Sequence, residues 1–239
     1  MIPKIIHYCW FGRGEMPELA QRCIASWHER MPDWEYKLWN EDNFDVNSVA
    51  YTKEAYEAKK YAFVSDYVRL WALYNEGGVY LDTDVEVFKS FDALLIWNAF
   101  AGFEGSKHLP MGTCVMASCT VGEWVKEQLD AYTERHFIKG NGTFDLTTNV
   151  QYMTAIMLNN GFVANGKEQD YKDLHVFPVE YFSPRQTTGE YCRTDNTYCD
   201  HLGLGSWAMK EAGIKGWIIQ LFSPKNKTRL IKIKRKLFG

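Results

Sequence analysis

Residues 62–87 read AFVSDYVRLWALYNEGGVYLDTDVEV, and they constrain the fold more than any other stretch of the chain. Val64, Val68, Leu70, Trp71 and Leu73 put apolar groups on every side of a helix over Ser65–Glu76, which predicts a buried helix rather than a surface one. Gly77 supplies the glycine that ends it. Val79 to Leu81 then form a short apolar run of strand type. Two aspartates, Asp82 and Asp84, follow at i and i+2 where that strand ends. Alternation along an extended chain places both on one side, where like charges repel unless something compensates them.

The flanking segments extend this into a sheet. PKIIHYCW near the N-terminus is a buried-strand pattern closed by Gly12 and Gly14. Leu19, Cys23, Ile24 and Trp27 recur at helical spacing from Pro17 to about Arg30, before Pro32. EYKLW is a second strand, and a helix around residues 52–61 precedes the buried one. Strand–helix–strand–helix–strand order indicates an α/β fold with parallel strands. Further on, NAFAGF, TCVMAS and LHVFP read as strands and residues 122–136 and 149–159 as helices. Residues 180–206 are turn-rich, with Pro184, Gly189, Gly203 and Gly205. No repeat or linker interrupts the chain, so its 239 residues are expected to form one domain over 1–222 and a tail over 223–239.

The tail differs in charge. Residues 225–236 hold seven basic residues and no acidic one; subtracted from the net charge of −3, they leave the remainder at −10. Leu230, Ile231, Ile233, Leu237 and Phe238 interleave with those charges, a composition suited either to an anionic membrane surface or to a solvated tail. The acidic balance of the rest excludes nucleic acid as an obvious partner. None of the six cysteines forms a CxxC, and Ile2 to Trp10 reads as a strand rather than a signal peptide. Reduced thiols in a cytoplasmic protein are therefore expected. Zinc on Cys192, Cys199 and His201 with Cys114 and Cys119 is disfavoured by the loose spacing.

Chemistry concentrates at the strand end. Ligands of open α/β sheets gather at the carboxyl ends of strands, and paired carboxylates there hold a hard divalent cation or act as acid and base. A cation removes the repulsion between Asp82 and Asp84 and points to a phosphate-bearing substrate. Asp66 and Arg69 lie at i and i+3 of the buried helix, facing either a ligand or one another. HLGLGSW, residues 201–207, offers His201, an acceptable Mn²⁺ ligand, in a glycine-loosened loop. Its GxGxxA character lacks the strand–helix unit that a dinucleotide site requires.

Taken together, IPKIIHYCWFG, AFVSDYVRLWALYNEGGVYLDTDVEV and H…GSW, in that order, resemble the DXD-containing sugar transferases of glycosyltransferase family 32. That family includes fungal mannosyltransferases and bacterial capsule enzymes, and the resemblance extends more distantly to the catalytic domains of large glucosylating toxins. It covers most of residues 1–210. It implies a GT-A fold, a Rossmann-like mixed sheet flanked by helices, that binds a nucleotide sugar and Mn²⁺ or Mg²⁺ and retains anomeric configuration. By position it implies that Trp10 stacks on the base, that Asp66 and Arg69 hold ribose and donor sugar, and that Tyr80 and Asp82 contact the donor. Asp84 would touch the metal, with Asp82 beside it. His201, Ser206 and Trp207 would close on metal and diphosphate, although the toxins use other oxygen ligands near that loop. The catalytic set implied is Asp82, Asp84 and Arg69.

The expected reaction is hexosyl transfer from a nucleotide sugar, a uridine one on this reading, with GDP-mannose as the alternative. The acceptor would be a glycan or lipid-linked saccharide of a surface polysaccharide. The tail would hold the enzyme on the inner face of the membrane. A haloacid-dehalogenase-type phosphatase also begins with a strand-end DxD, but it wants Thr or Val where this chain has Glu86, and the chain has no Gly-Asp dipeptide. An inactive nucleotide-sugar-binding module of the same fold is the remaining rival. The intact Asp82, Asp84 and Arg69 speak against it.

Overall fold

A computed structural model describes residues 1–105, 111–185 and 190–203. In chain order the elements are β1 (Ile5–Cys9), α1 (Glu18–Arg30), β2 (Glu35–Trp39), α2 (Ala50–Glu57), α3 (Tyr61–Glu76), β3 (Gly78–Leu81) and β4 (Val85–Val87). They continue with β5 (Ala99–Phe103), β6 (Met111–Ser118), α4 (Glu123–Asp130), α5 (Asn149–Asn159), β7 (Gln169–Tyr171), β8 (Leu174–Phe177) and β9 (Cys199–His201). The main sheet has the order β2-β1-β3-β6-β5-β8-β7. Strands β2, β1 and β3 run parallel, as the strand–helix alternation requires. β6 is antiparallel to both β3 and β5, so the sheet is mixed.

Alternation along the central strands divides the apolar side chains between two faces. Tyr80, Met116, Ala99 and Ala101 join the cluster built with α2 to α5, through Val64, Val68, Trp124 and Met153. Ile6, Val79, Leu81, Phe100 and Ala117 join the cluster that Trp27 of α1 and Met31 just after it complete. Helices therefore cover both faces, and α3, apolar all round, lies inside the larger cluster as its sequence predicts.

The junction between α3 and β3 shows why two glycines stand there. Gly77 has φ +68° and its N–H donates to the Leu73 carbonyl, ending the helix. Gly78 has φ +102°, and a Cβ on it would lie 2.7 Å from the Ile5 carbonyl oxygen. Only glycine satisfies both demands. Fully buried His7 on β1 closes the junction: its Nε2 lies 2.7 Å from the Gly77 carbonyl, and its Nδ1 lies 3.1 Å from Trp39 Nε1. Indole can only donate, so His7 is the neutral tautomer that carries its proton on Nε2. Burial lowers its pKa, in keeping with that state.

Several boundaries differ from the sequence expectations. α3 begins at Tyr61 rather than Ser65. α4 ends at Asp130, beyond which Tyr132, Thr133 and Arg135 continue in i→i+3 turns. The short strands β4, β7 and β9 were not separable by pattern, and β9 falls within the stretch that reads as turn. Alternation does not align the two aspartates either, because β3 stops at Leu81. The Val85 N–H donates to the Asp82 carbonyl at 3.0 Å, so residues 82–85 form a tight turn. The basic tail lies outside the described residues.

Trp27 carries much of the support beneath that turn. Its side chain is fully buried, and its Nε1 donates to the Val85 carbonyl at 2.7 Å, pinning α1 to β4. Trp27→Phe keeps most of the apolar volume but leaves that carbonyl without its indole donor. A loss of about 1–3 kcal/mol is expected, measurable as a lower urea midpoint with an unchanged slope.

Candidate active site

Three elements bring the site together at the end of β3. The 82–85 turn presents Asp82 and Asp84. β9 pairs antiparallel with β4 and sets His201 opposite Val85. The Leu202 N–H donates to the Asp84 carbonyl at 3.0 Å, continuing that ladder into the turn. His201 Nε2 consequently lies 3.3 Å from Asp84 Oδ1. One ligand atom from each of Asp82, Asp84 and His201 lies within 4.8 Å of the others. Two carboxylates and an imidazole at that spacing suit a divalent cation of the Mg²⁺ or Mn²⁺ type.

Beneath this group lies a buried electrostatic brace. Arg69, 5% exposed, reaches up from α3. Its Nη1 lies 3.1 Å from Asp82 Oδ1 and donates to the Thr113 carbonyl of β6 at 2.9 Å. Its Nη2 donates to Asp66 Oδ1 at 3.2 Å, and its Nε to the Ser65 carbonyl. The guanidinium stands 4.4 Å over the Tyr80 ring, and the Tyr80 hydroxyl donates to the same Asp82 oxygen at 3.0 Å. Asp82 is therefore held by one oxygen from below, and its backbone N–H is anchored on the Cys114 carbonyl.

Charge states follow from these contacts. Burial works against the Arg69 charge, but the carboxylates of Asp82 and Asp66 outweigh it and hold the proton on. Burial drives the Tyr80 hydroxyl far above its ordinary value, so it remains a donor. Asp66 is pushed up to about 6, by burial first and against the attraction of Arg69. For His201, burial favours the neutral ring but loses to interactions with Cys114 and Asp84, and its pKa rises. The Cys114 thiol is itself raised by burial and stays protonated at neutral pH, which leaves the Asp84 carboxylate as the charge that matters.

The structure thus brings Asp82, Asp84 and His201 to one point, with Arg69, Asp66 and Tyr80 directly behind them. Those three are buried among protein partners, so the reading in which Asp66 and Arg69 face one another describes what is seen. Arg69 and Tyr80 orient Asp82, and Asp66 holds Arg69. Trp10 lies just past β1, half-buried, with its Nε1 donating to the Gly14 carbonyl and its backbone N–H to Trp39. Ser206 and Trp207 lie outside the described residues. Sequence reasoning missed Glu104 and Thr113, whose neighbourhood depends on the β5–β6 pairing and leaves no local signal.

Asp66 has a measurable consequence. Its carboxyl holds a proton more tightly folded, near pH 6, than unfolded, near about 3.9. Between those values the folded chain binds the extra proton, so this residue makes stability fall as pH rises from about 4 to about 6. Asp66→Asn removes that contribution. Urea denaturation across this window should show a weaker downward trend, or a stronger upward one, in the variant than in the parent. Parallel pH dependences would exclude Asp66 as the source.

Residues 17–101 match the family described as "Glycosyltransferase sugar-binding region containing DXD motif". Inositol phosphoceramide mannosyltransferase 3 of Schizosaccharomyces pombe is 36% identical over 106 residues, which cover 41% of this chain and 29% of that protein. Mannosyl phosphorylinositol ceramide synthase SUR1 of Saccharomyces cerevisiae is 31% identical over 108 residues, covering 42% and 27%. Subversion of eukaryotic traffic protein A of Legionella pneumophila is 24% identical over 182 residues, covering 61% and 27%. The chain spans less than a third of the length of these relatives. Among solved structures, the PaToxG glycosyltransferase superposes with a TM-score of 0.50 at 18% identity, over 67% of this chain and 70% of that one. Residues 17–101 are therefore similar to DXD-type sugar-binding regions of glycosyltransferases, and the fold is of the GT-A type.

Proposed function

We propose that the chain is a divalent-cation-dependent hexosyltransferase that takes its sugar from a nucleotide diphosphate donor and retains anomeric configuration. The observation that carries this reading is the convergence of Asp82, Asp84 and His201 on one point above the buried Arg69 brace. Asp84 and His201 would hold the cation directly, with Asp82 between its water shell and the donor. Such a cation neutralises charge on a leaving diphosphate.

The chain's own groups do the positioning. Arg69 and Tyr80 fix one oxygen of Asp82, so the other is aimed without cost at the moment of reaction. Trp10, just past the carboxyl end of β1, would stack on the nucleotide base. By the family resemblance, His201, Ser206 and Trp207 would contact the diphosphate. No side chain is assigned as a covalent nucleophile; the acceptor hydroxyl attacks from the face the diphosphate leaves, and a diphosphate oxygen takes its proton.

The donor is a uridine nucleotide on the sequence reading. The mannosyltransferase relatives favour a second reading, with GDP-mannose as donor. The acceptor is a glycan or lipid-linked saccharide, in the synthesis of a surface polysaccharide on the cytoplasmic side of a membrane, where residues 225–239 touch anionic lipid.

A thermal-shift panel of nucleotide sugars with and without Mn²⁺ tests the core of this. The true donor at a hundred times its dissociation constant adds about 2.7 kcal/mol of stability, and Asp84→Asn should remove the Mn²⁺-dependent part. If no nucleotide sugar raises the melting temperature even with the metal, the proposal fails. Deleting residues 225–239 should leave donor hydrolysis unchanged and weaken binding to anionic liposomes, while unchanged liposome binding would refute the role of the tail.

A further inference from the structure

His201 belongs to two clusters. Besides the group it forms with Asp82 and Asp84, one of its ring nitrogens, the Cys114 Sγ and a carboxylate oxygen of Glu104 lie within 4.8 Å of one another. The three come from separate places in the chain: Cys114 from the middle of β6, Glu104 from just past β5, and His201 from the end of β9. Cys114 is 2% exposed, and its sulfur contacts the Ser183 hydroxyl at 3.4 Å. Gly112 of β6 lets Glu104 lie close over the strand, and a Cβ there would also lie 2.8 Å from the Gly102 carbonyl oxygen. A Cβ on Gly112 would come within 3.3 Å of Glu104 Cβ and 3.4 Å of its Oε2.

We infer that Glu104, Cys114 and His201 form a second metal site, selective for a thiophilic divalent ion such as Zn²⁺ and adjoining the Asp82–Asp84 pair. One sulfur, one nitrogen and one oxygen donor are the ligand types that Zn²⁺ and Co²⁺ accept and that Mg²⁺ does not. Three protein ligands leave a fourth position of a tetrahedral ion open. Binding replaces the thiol proton of Cys114 with the metal and releases that proton to solvent, so affinity falls as pH falls. Because the imidazole is shared, an ion here engages the same ring that lies 3.3 Å from Asp84. The soft site and the hard site are then coupled through a single ring.

Co²⁺ provides a readout independent of sugar transfer. Titrating the metal-free full chain with Co²⁺ should produce a thiolate-to-cobalt charge-transfer band in the near ultraviolet, which stoichiometric Zn²⁺ abolishes and excess Mg²⁺ leaves in place. Cys114→Ser should lose the band. Glu104→Gln should keep it with affinity lowered at least tenfold, since even outer-shell changes cost about 10–100-fold. The double variant Asp82→Asn, Asp84→Asn should keep the band. Absence of the band in the parent, its survival in Cys114→Ser, or its loss in the double variant with an unchanged melting temperature would each overturn the assignment. Should Cys114→Ser fold poorly, Glu104→Gln decides alone, and unchanged cobalt affinity counts against the site. A Mn²⁺-dependent donor shift that persists while the band is missing would reject this site and leave the transferase reading standing.

Discussion

The Arg69 guanidinium is the contact on which the rest of the site depends. It joins α3, the β3 turn and β6 through Asp66, Asp82 and the Thr113 carbonyl. Removing any one partner from such a buried set costs about 3–5 kcal/mol, far more than the assembled network contributes over an apolar replacement. The network is better understood as a specification of geometry than as a source of stability. It decides which way Asp82 points, and the position of Asp82 decides where a cation can sit.

A second constraint acts from the other direction. The β4–β9 ladder delivers His201 to Asp84 by backbone pairing, so the imidazole does not need a preformed cation to find its place. One face of the site is thus fixed by a buried charge network and the other by strand register. A slip of a single residue in that register would turn His201 away and present Asp200, whose carboxylate is instead engaged by Arg185. The two side-chain clusters overlap through the same economy of parts: one imidazole, placed once, lies within reach of both.

Much of this was legible in the sequence, because it is local. The buried helix, the two glycines and the aspartates after β3 follow from apolar periodicity, backbone freedom and charge proximity within 26 consecutive residues. The α1, β2 and α5 segments fall close to their expected bounds for the same reason. What was not legible depends on pairings between distant segments. Alternation suggested that Asp82 and Asp84 share a strand face, whereas a turn closed by Val85 brings them together. Asp66 and Arg69 could be seen as a pair, but not that β6 would supply the carbonyl that engages Arg69. Glu104 carries no motif at all, and its place is set by the partners of β5 and by the glycine opposite.

The β4–β9 pairing also bears on how the molecule folds. Its strands lie more than a hundred residues apart in the chain, so their association must meet a loop-closure cost that nearby contacts do not. The sheet from β2 to β6 can form from earlier residues alone, while His201 joins Asp84 only after nearly the whole described chain is in place. The approach of His201 to Asp84 is accordingly a late acquisition on the folding route. A chain that ends before β9 could hold an ordered sheet and still lack an imidazole beside Asp84.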